Sequence, residues 1–357
     1  MFVYTQISRK RACVQHRPTF VSRTPTIATI AALVCALLLA LGGAAVTSAP
    51  AASAATVVAR VGSHGWTVVV VQRVIGVTAD GVYGPKTAGA VAAWQRARRL
   101  PATGVVDSAT WSRIWAVWVR MPATGRDVSW PQCPKGVGRG YGLPMPPTSA
   151  QLVVIGLTSG PGFSPNPCLA AQTGWAKTHH VYTAAYAMTT FPTGLQFAAY
   201  RFSGPYRATT LTGQLNNVGF REARFNVASM RRVGLATPIV WIDVEPYTPG
   251  WNTKRAANKA VINGAVLGYR SAGYRVGFYS IPQMWSKILG TARYGLPEWR
   301  TAGARGQGVA NTRCAKSYSF QGGAAVLSQW WGPSIDYDTT CPSVNTPGLL
   351  ATYFHKY

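Results

Sequence analysis

Six short strand-like runs after residue 125 constrain the fold of this chain more than any other feature of its sequence. Most are continuously apolar and rich in β-branched and aromatic residues, which favour strands. Strands without polar alternation are buried on both faces, and this is typical of a parallel sheet covered by helices. The runs are 126–130, 152–157, 181–188, 238–244, 274–280 and 324–330.

At least six such strands within residues 125–357 predict an α/β fold in which the sheet closes into a TIM-like (β/α) barrel. One helix is clear between the fourth and fifth strands, at 256–273, where the apolar spacing is helical and Gly273 ends it. The segment 291–323 is rich in Gly and Arg and irregular. We therefore expect the later units of the barrel to be degenerate.

A smaller unit precedes the barrel at residues 62–115, and a linker at 116–124 joins the two. Apolar residues share a face at helical spacing in three places, with the turn sequences ADG and TG between them. Asp107 or Ser108 can cap the last helix. We expect a three-helix domain. Its three apolar sets are Val68, Val71 and Ile75, then Ala90, Val91 and Trp94, then Trp111, Ile114 and Trp115.

The first 55 residues have the order of a secretory signal peptide. Basic residues come first, an apolar run follows at 27–46, and small residues surround a cleavage site near Ala52–Ala54. A run of about 20 residues can also span a bilayer, so an uncleaved anchor stays open. Either way the rest of the chain is exported to the cell wall or beyond. We expect no nucleic acid partner, and membrane contact only through this N-terminal segment.

The chain is strongly basic, with 35 Lys and Arg against 9 Asp and Glu, a net charge of +26. Such a surface attracts a polyanion, and charge alone does not choose among nucleic acid, anionic lipid and an acidic wall. Export favours anionic cell-wall polymers as partners. We expect the protein to be a monomer.

Four cysteines follow the leader, and an even number in an exported chain indicates two disulfides. Three pairings are possible. We favour Cys133–Cys168 and Cys314–Cys341 because these cysteines are closest in sequence. The sequence contains neither C-x-x-C nor H-x-x-x-H spacing, so we expect no metal and no other cofactor.

Five of the nine acidic residues fall in three short stretches: GRDVSW with Asp127, WIDVEP with Asp243 and Glu245, and SIDYD with Asp336 and Asp338. Residues i and i+2 of a strand point to one side, and the carboxyl ends of barrel strands hold active sites. Closely spaced carboxylates raise each other's pKa, and glycosidic cleavage uses a protonated acid beside an ionised one. As alternatives, the pair at 243 and 245 binds an arginine of a neighbouring strand, and Asp127 caps a turn.

The small unit carries the pattern V-x-x-x-Q, DG-x-YG-x-x-T, AV-x-x-WQ and TGVVD-x-x-TW over its whole length. This pattern resembles the type-1 peptidoglycan-binding domain family. The resemblance implies binding of cell-wall glycopeptide in a shallow surface groove. The alternative to binding is that these residues serve only the fold: the glycines form turns, Gln72 and Gln95 cap helices or face water, and the tryptophans form the core.

Residues 125–345 carry GRDVSW, WIDVEP, AGYRVGFYS and LSQWW followed by IDYD. These motifs resemble family 25 glycoside hydrolases, the lysozyme-like muramidases, and more closely the glycoside-hydrolase-like domains of exported actinobacterial proteins. The resemblance implies that Glu245 is the general acid and Asp243 its partner, that Asp127 lines the cleft, and that Asp336 rather than Asp338 is the late aspartate. Aromatic residues at strand ends can stack on sugars or pack in the core: Trp130, Tyr186, Tyr279, Trp299 and Trp330.

The sequence departs from this family at WPQCPKG after the first strand and at YAMTTFP after the third, which puts substrate and turnover in question. Three functions therefore stay open: an exported muramidase, a wall-binding protein that keeps the fold without turnover, and a basic protein that adheres to anionic wall polymers. An arginine bound to Glu245, or a cleft plugged by loop 134–150, would favour the second.

Overall fold

The computed structural model describes residues 56–246, 250–345 and 347–357. The signal peptide predicted at 1–55 lies outside the described residues. Within the described part, no helix is both long and apolar enough to cross a membrane.

The N-terminal unit contains the three predicted helices, α1 (Trp66–Ile75), α2 (Pro85–Ala97) and α3 (Ser108–Trp118). A short antiparallel pair, β1 (Val57–Ala59) and β2 (Val106–Asp107), closes the bundle. Asp107 is the N-cap of α3 and accepts a hydrogen bond from the Thr110 N–H at 2.7 Å. The core of the unit consists of Ala59, Val68, Val70, Val71, Tyr83, Val91, Trp94, Val106 and Ile114.

Gln72 and Gln95 are both 1% exposed, so the expectation that they cap helices or face water is wrong. Each side-chain oxygen accepts a hydrogen bond from the backbone N–H of the glycine nine residues later, Gly81 for Gln72 and Gly104 for Gln95. Each side-chain N–H donates to a carbonyl ten residues on and to a threonine hydroxyl fifteen residues on. The same three spacings hold the turns after α1 and α2, because a buried amide satisfies backbone groups that the turns leave unpaired.

Residues 124–340 form a closed barrel of eight strands in which β5 and β6 also pair to complete the ring. Seven strands are parallel, and the last is antiparallel to both of its neighbours, which distinguishes the barrel from an all-parallel one. A short additional strand, β11 (His355–Lys356), pairs with the start of β5. The barrel strands are β3 (Thr124–Val128), β4 (Leu152–Gly156), β5 (Tyr182–Met188), β6 (Ile239–Asp243), β7 (Arg275–Ser280), β8 (Glu298–Thr301), β9 (Ala325–Trp331) and β10 (Asp336–Thr340).

Helices cover the outside of the barrel, and the predicted one is α7 (Arg255–Arg270). It packs on α6 (Leu211–Val233) at two glycines that allow close approach. A Cβ at Gly219 would lie 1.9 Å from the Val261 oxygen, and one at Gly264 would lie 1.9 Å from the Asn216 oxygen. The remaining helices are α4 (Leu169–Thr178), α5 (Gly194–Tyr200), α8 (Pro282–Leu289), α9 (Gly306–Arg313) and α10 (Pro347–Tyr353).

The segment 291–323 is more regular than predicted, since it contains β8 and α9. Glu298 and Arg300 lie two residues apart on the outer face of β8, and their side chains form a buried ion pair at 2.7 Å. Both favoured disulfide pairings are present: Cys133–Cys168 beside the first strand, and Cys314–Cys341, which ties the end of α9 to the end of β10.

Candidate active site

The predicted acids meet at one edge of the barrel because of strand direction. Asp127 lies near the end of β3, Asp243 ends β6, and Glu245 follows two residues later. β10 runs the opposite way, so its first residue, Asp336, lies at the same edge and pairs with Trp331 at the end of β9. The carboxyl ends of the parallel strands and the start of β10 therefore surround one opening.

A cavity of about 370 Å³ occupies this opening. It brings together four predicted acids and three predicted aromatics, and two lining residues, Gln329 and Trp331, were not predicted. The lining residues are Asp127, Tyr186, Asp243, Glu245, Tyr279, Trp299, Gln329, Trp331 and Asp336.

No cation neutralises these acids in the part of the chain that the structure describes, where the one ion pair within 4 Å is that of Arg300 with Glu298. The alternative in which Asp243 or Glu245 binds an arginine is therefore wrong. No residue of the loop 134–150 lines the cavity either. The acids must consequently respond to burial and to one another.

Burial, followed by the charge of Asp336, raises the pKa of Asp127 to about 8 and that of Glu245 to about 7. Burial also raises the pKa of Asp243 well above its ordinary value, and the charges of Glu245 and Asp127 add to this effect. Burial alone raises the pKa of Asp336. Because the charge of Asp336 raises the pKa values of Asp127 and Glu245, Asp336 is the acid of this group that ionises first.

Hydrogen bonds fix the buried acids in place. The Tyr279 hydroxyl donates to Gln329 Oε1 at 2.8 Å, and Gln329 Nε2 donates to Asp127 Oδ2 at 2.8 Å. Asp338 is fully buried behind the cavity and accepts from Trp299 Nε1 at 2.8 Å. One buried oxygen of each of two acids, Asp243 Oδ1 and Asp338 Oδ2, has no hydrogen-bond partner among the described residues.

The predicted aromatic residues lie in different places. Trp299 is 1% exposed and contacts Tyr279 edge-on at 4.7 Å, so it forms the floor of the cavity rather than an open face. Trp330 lies outside the cavity and stacks on Tyr337 at 5.2 Å. Its neighbour Trp331 lines the cavity and is 40% exposed.

Trp130 also lies outside the lining of the cavity. It begins a short 3₁₀ turn after β3 and packs edge-on against Tyr141 at 5.1 Å. The described residues contain no group of three or more His, Cys, Asp or Glu side chains placed to hold a metal ion. The groups that line the cavity are carboxylic acids, one amide and aromatic rings.

Comparison with known families identifies the N-terminal unit. Residues 72–114 match the family described as "Putative peptidoglycan binding domain". This segment carries a peptidoglycan-binding domain. The match lies within the range 62–115 in which the resemblance was found. No curated protein sequence matches the chain.

Several solved structures are similar to a large part of the chain. The modular autolysin LytC from Streptococcus pneumoniae, in complex with a synthetic peptidoglycan ligand, is 12% identical with a TM-score of 0.37, over 61% of this chain and 46% of that one. A family GH25 lysozyme from Aspergillus fumigatus is 14% identical with a TM-score of 0.38, over 61% and 93%. The bacterial lysozyme from Streptomyces coelicolor is 13% identical with a TM-score of 0.39, over 65% and 96%.

The chain thus spans about half the length of the autolysin. At these identities and TM-scores, the similarity carries no argument about activity. The matched domain at 72–114 and the geometry of the acid cavity are the features that bear on function.

Proposed function

We propose that this protein is an exported peptidoglycan hydrolase of the muramidase type, with Glu245 as its general acid. The observation that carries the proposal is the cavity itself. Four carboxyl groups line it without a neutralising cation among the described residues, and a half-buried Glu245 with a pKa of about 7 is among them. A general acid works best when its pKa is near the working pH.

In this proposal the acids have separate roles. Glu245 donates its proton to the glycosidic oxygen of the leaving sugar. Asp336, which ionises most readily, stabilises the positive charge that develops on the sugar ring. Asp243 keeps its proton because burial and the charge of Glu245 raise its pKa, so it orients the acetamido group by hydrogen bonding rather than by charge.

The aromatic lining completes the proposed substrate site. Trp331 offers an exposed ring at the rim on which a sugar can stack. Trp299, Tyr279 and Tyr186 form the floor beside the buried acids and contact one another edge-on.

The rest of the chain fits a protein of the cell wall. The domain matched at 72–114 would hold peptidoglycan near the barrel, and a net charge of +26 favours residence among anionic wall polymers. Two disulfides fit an oxidising, extracytoplasmic location. We accordingly assign the small domain expected at 62–115 to wall binding and residues 125–357 to the hydrolase. The linker expected at 116–124 is shorter in the structure, because α3 continues to Trp118 and β3 begins at Thr124.

Clearing of a suspension of purified cell walls by residues 56–357 tests the proposal, with Glu245→Gln as the variant. Glu222→Gln is the matched control, because Glu222 is also a buried acid with a pKa that burial raises to about 8, yet it lies outside the cavity. We expect Glu245→Gln to lose about 10²–10⁴-fold in rate and Glu222→Gln to stay within about threefold of the unmodified protein, a range that corresponds to less than about 0.7 kcal/mol.

Equal clearing by the unmodified protein and Glu245→Gln would remove Glu245 from the mechanism. If neither protein clears walls while both are retained on them in a pull-down, the protein is the non-catalytic binder. Retention that disappears at high salt would instead indicate adhesion by exposed charge.

A further inference from the structure

A second cavity, of about 200 Å³, lies on the same edge of the barrel as the acid cavity. Thr301 lines it and lies two residues after Trp299 in β8, while Ile281 lines it two residues after Tyr279 of β7. Trp299 and Tyr279 both line the acid cavity. Two residues of strand advance about 7 Å, so the two cavities are neighbours.

The second cavity is cationic, whereas the first is acidic. Arg305 and Arg313 line it, and within the described ranges neither forms an ion pair with an acid. The Arg305 Nε donates to the Ala302 oxygen at 3.0 Å, which leaves the two terminal nitrogens of that guanidinium for a ligand. The Arg313 guanidinium lies 4.2 Å over the Tyr318 ring.

The Arg313 Nε is buried without a hydrogen-bond partner in the described structure. A buried guanidinium nitrogen without a partner is costly, and an anionic oxygen in the cavity would satisfy it. Arg300 also lines this cavity, but its charge is already paired with Glu298. The free positive charge therefore belongs to Arg305 and Arg313.

The start of α8 adds to this charge. Its N-cap residue, Ile281, supplies no side-chain cap, and the first turn contains no acid. Ile281, Pro282 and Gln283 line the cavity. The dipole of a helix start favours an anion in the same place as the arginines.

The backbone that carries Arg313 is held firmly. Arg300 donates to the Arg313 oxygen at 2.7 Å and to the Ala315 oxygen at 2.8 Å. The residue between them, Cys314, is joined to Cys341. A fixed backbone lowers the entropy that the site loses when it binds a ligand.

We propose that this cavity binds a carboxylate of the peptide branch of peptidoglycan while the glycan occupies the acid cavity. The proposal rests on the proposed function, since the glycan determines which group reaches the arginines. Arginine forms paired hydrogen bonds with the two oxygens of a carboxylate. A peptide branch leaves the glycan sideways, and the two cavities are lined by positions two residues apart in the same two chain segments, Tyr279 and Trp299 in one and Ile281 and Thr301 in the other. A phosphate group of an anionic wall polymer is the competing occupant, and the experiment separates the two.

The experiment measures dissociation constants of residues 56–357 in the Glu245→Gln background, so that turnover plays no part. The probes are a disaccharide–peptide fragment of peptidoglycan with free peptide carboxylates, the same fragment with those carboxylates amidated, and a glycerol phosphate polymer. The variants are Arg305→Gln and, as an equal loss of charge on the exposed surface of α6, Arg221→Gln. Thermal unfolding of each variant shows that it is folded.

We expect the free fragment to bind about 5–10-fold more tightly than the amidated one, as a charge-assisted hydrogen bond at a half-exposed site provides. Arg305→Gln should abolish that ratio, and Arg221→Gln should preserve it. Equal affinity for the two fragments overturns the proposal, as does an equal effect of both substitutions. If Arg305→Gln loses affinity only for the phosphate polymer, the cavity is a phosphate site, and the proposal of a carboxylate site is overturned. If the unmodified protein fails to clear walls while the free fragment still binds more tightly than the amidated one, that result would refute the hydrolase and leave the proposed carboxylate site intact.

Discussion

Asp127→Asn should make the protein more stable at alkaline pH, because the acid cavity weakens the fold there. The Asp127 side chain is 6% exposed, and burial together with the charge of Asp336 raises its pKa to about 8. In the unfolded chain the pKa of an aspartate is about 3.9. Between these two values the unfolded state releases a proton that the folded state keeps. The stability from this group is therefore complete below about pH 4 and is lost as the pH rises towards 8.

The size of the effect follows from the difference between the two pKa values. About four pKa units at 1.36 kcal/mol each give a ceiling of roughly 5 kcal/mol at pH 8. Asp127, Asp336 and Asp338 share protons, so removing one acid recovers only part of that sum. We expect Asp127→Asn to raise the free energy of unfolding by about 2–5 kcal/mol at pH 8 and to change it little at pH 4. Asparagine still accepts the hydrogen bond from Gln329, so packing is preserved.

Urea unfolding of residues 56–357 at pH 4, 6 and 8, followed by tryptophan fluorescence, measures this difference. Asp107→Asn is the control with no expected gain, because the Thr110 N–H lowers the pKa of Asp107. A gain for Asp127→Asn that is equal at pH 4 and pH 8 would refute the reasoning, since the effect would then not come from ionisation. A loss of stability at pH 8 would show that Asp127 is ionised in the folded protein.

Three further predictions follow from other parts of the molecule. Glu298→Gln leaves the buried charge of Arg300 without its partner and should cost about 3–5 kcal/mol in the free energy of unfolding, measured by urea titration. Gln72→Leu leaves a turn of the small domain without its buried hydrogen bonds and should cost about 1–3 kcal/mol, measured as reduced Tm and reduced retention on walls. The rate of wall clearing should fall as the pH rises through about 7, because Glu245 then loses the proton that it donates, and a pH–rate profile measures this.

Each of these predictions has a contradicting result. A Glu298→Gln protein as stable as its parent would mean that the ion pair contributes nothing. The Gln72→Leu protein can be tested at a temperature at which its small domain is unfolded. Unchanged retention on walls there would show that the small domain is not what binds them. A clearing rate that rises steadily above pH 8 would exclude a protonated Glu245 as the donor.

The sequence predicted the barrel well where local pattern and burial agree. The run 238–242 is continuously apolar, and it supplies all of β6 except Asp243, with both faces of the strand buried. Strand β8 was missed because its outward residues are Glu298 and Arg300, and a charged pair in the sequence indicates a surface loop. The two side chains are buried and their charges neutralise each other, but the sequence pattern does not show that they form an ion pair.

In the site, the acids were predictable and one aromatic was not. Two carboxylates at i and i+2 share a face in any strand, so Asp243 and Glu245 could be placed together. To choose between Trp330 and Trp331, one must know which residues of β9 face the inside of the barrel. A shift of one residue in that assignment moves every side chain of the strand to the opposite face. The signal that could have found it is Gln329, whose polar side chain in an apolar strand faces the acids, as Trp331 does two residues later.

The proposed mechanism requires that Glu245 still holds a proton at neutral pH within the acid cavity. Infrared difference spectra between the unmodified protein and Glu245→Gln, recorded from pH 4 to pH 9, measure that proton through the band of the protonated carboxyl group. The structure predicts a Glu245 band that persists at pH 6 and disappears with a midpoint near pH 7. A midpoint near 4.5, the ordinary value for a glutamate, would contradict the account.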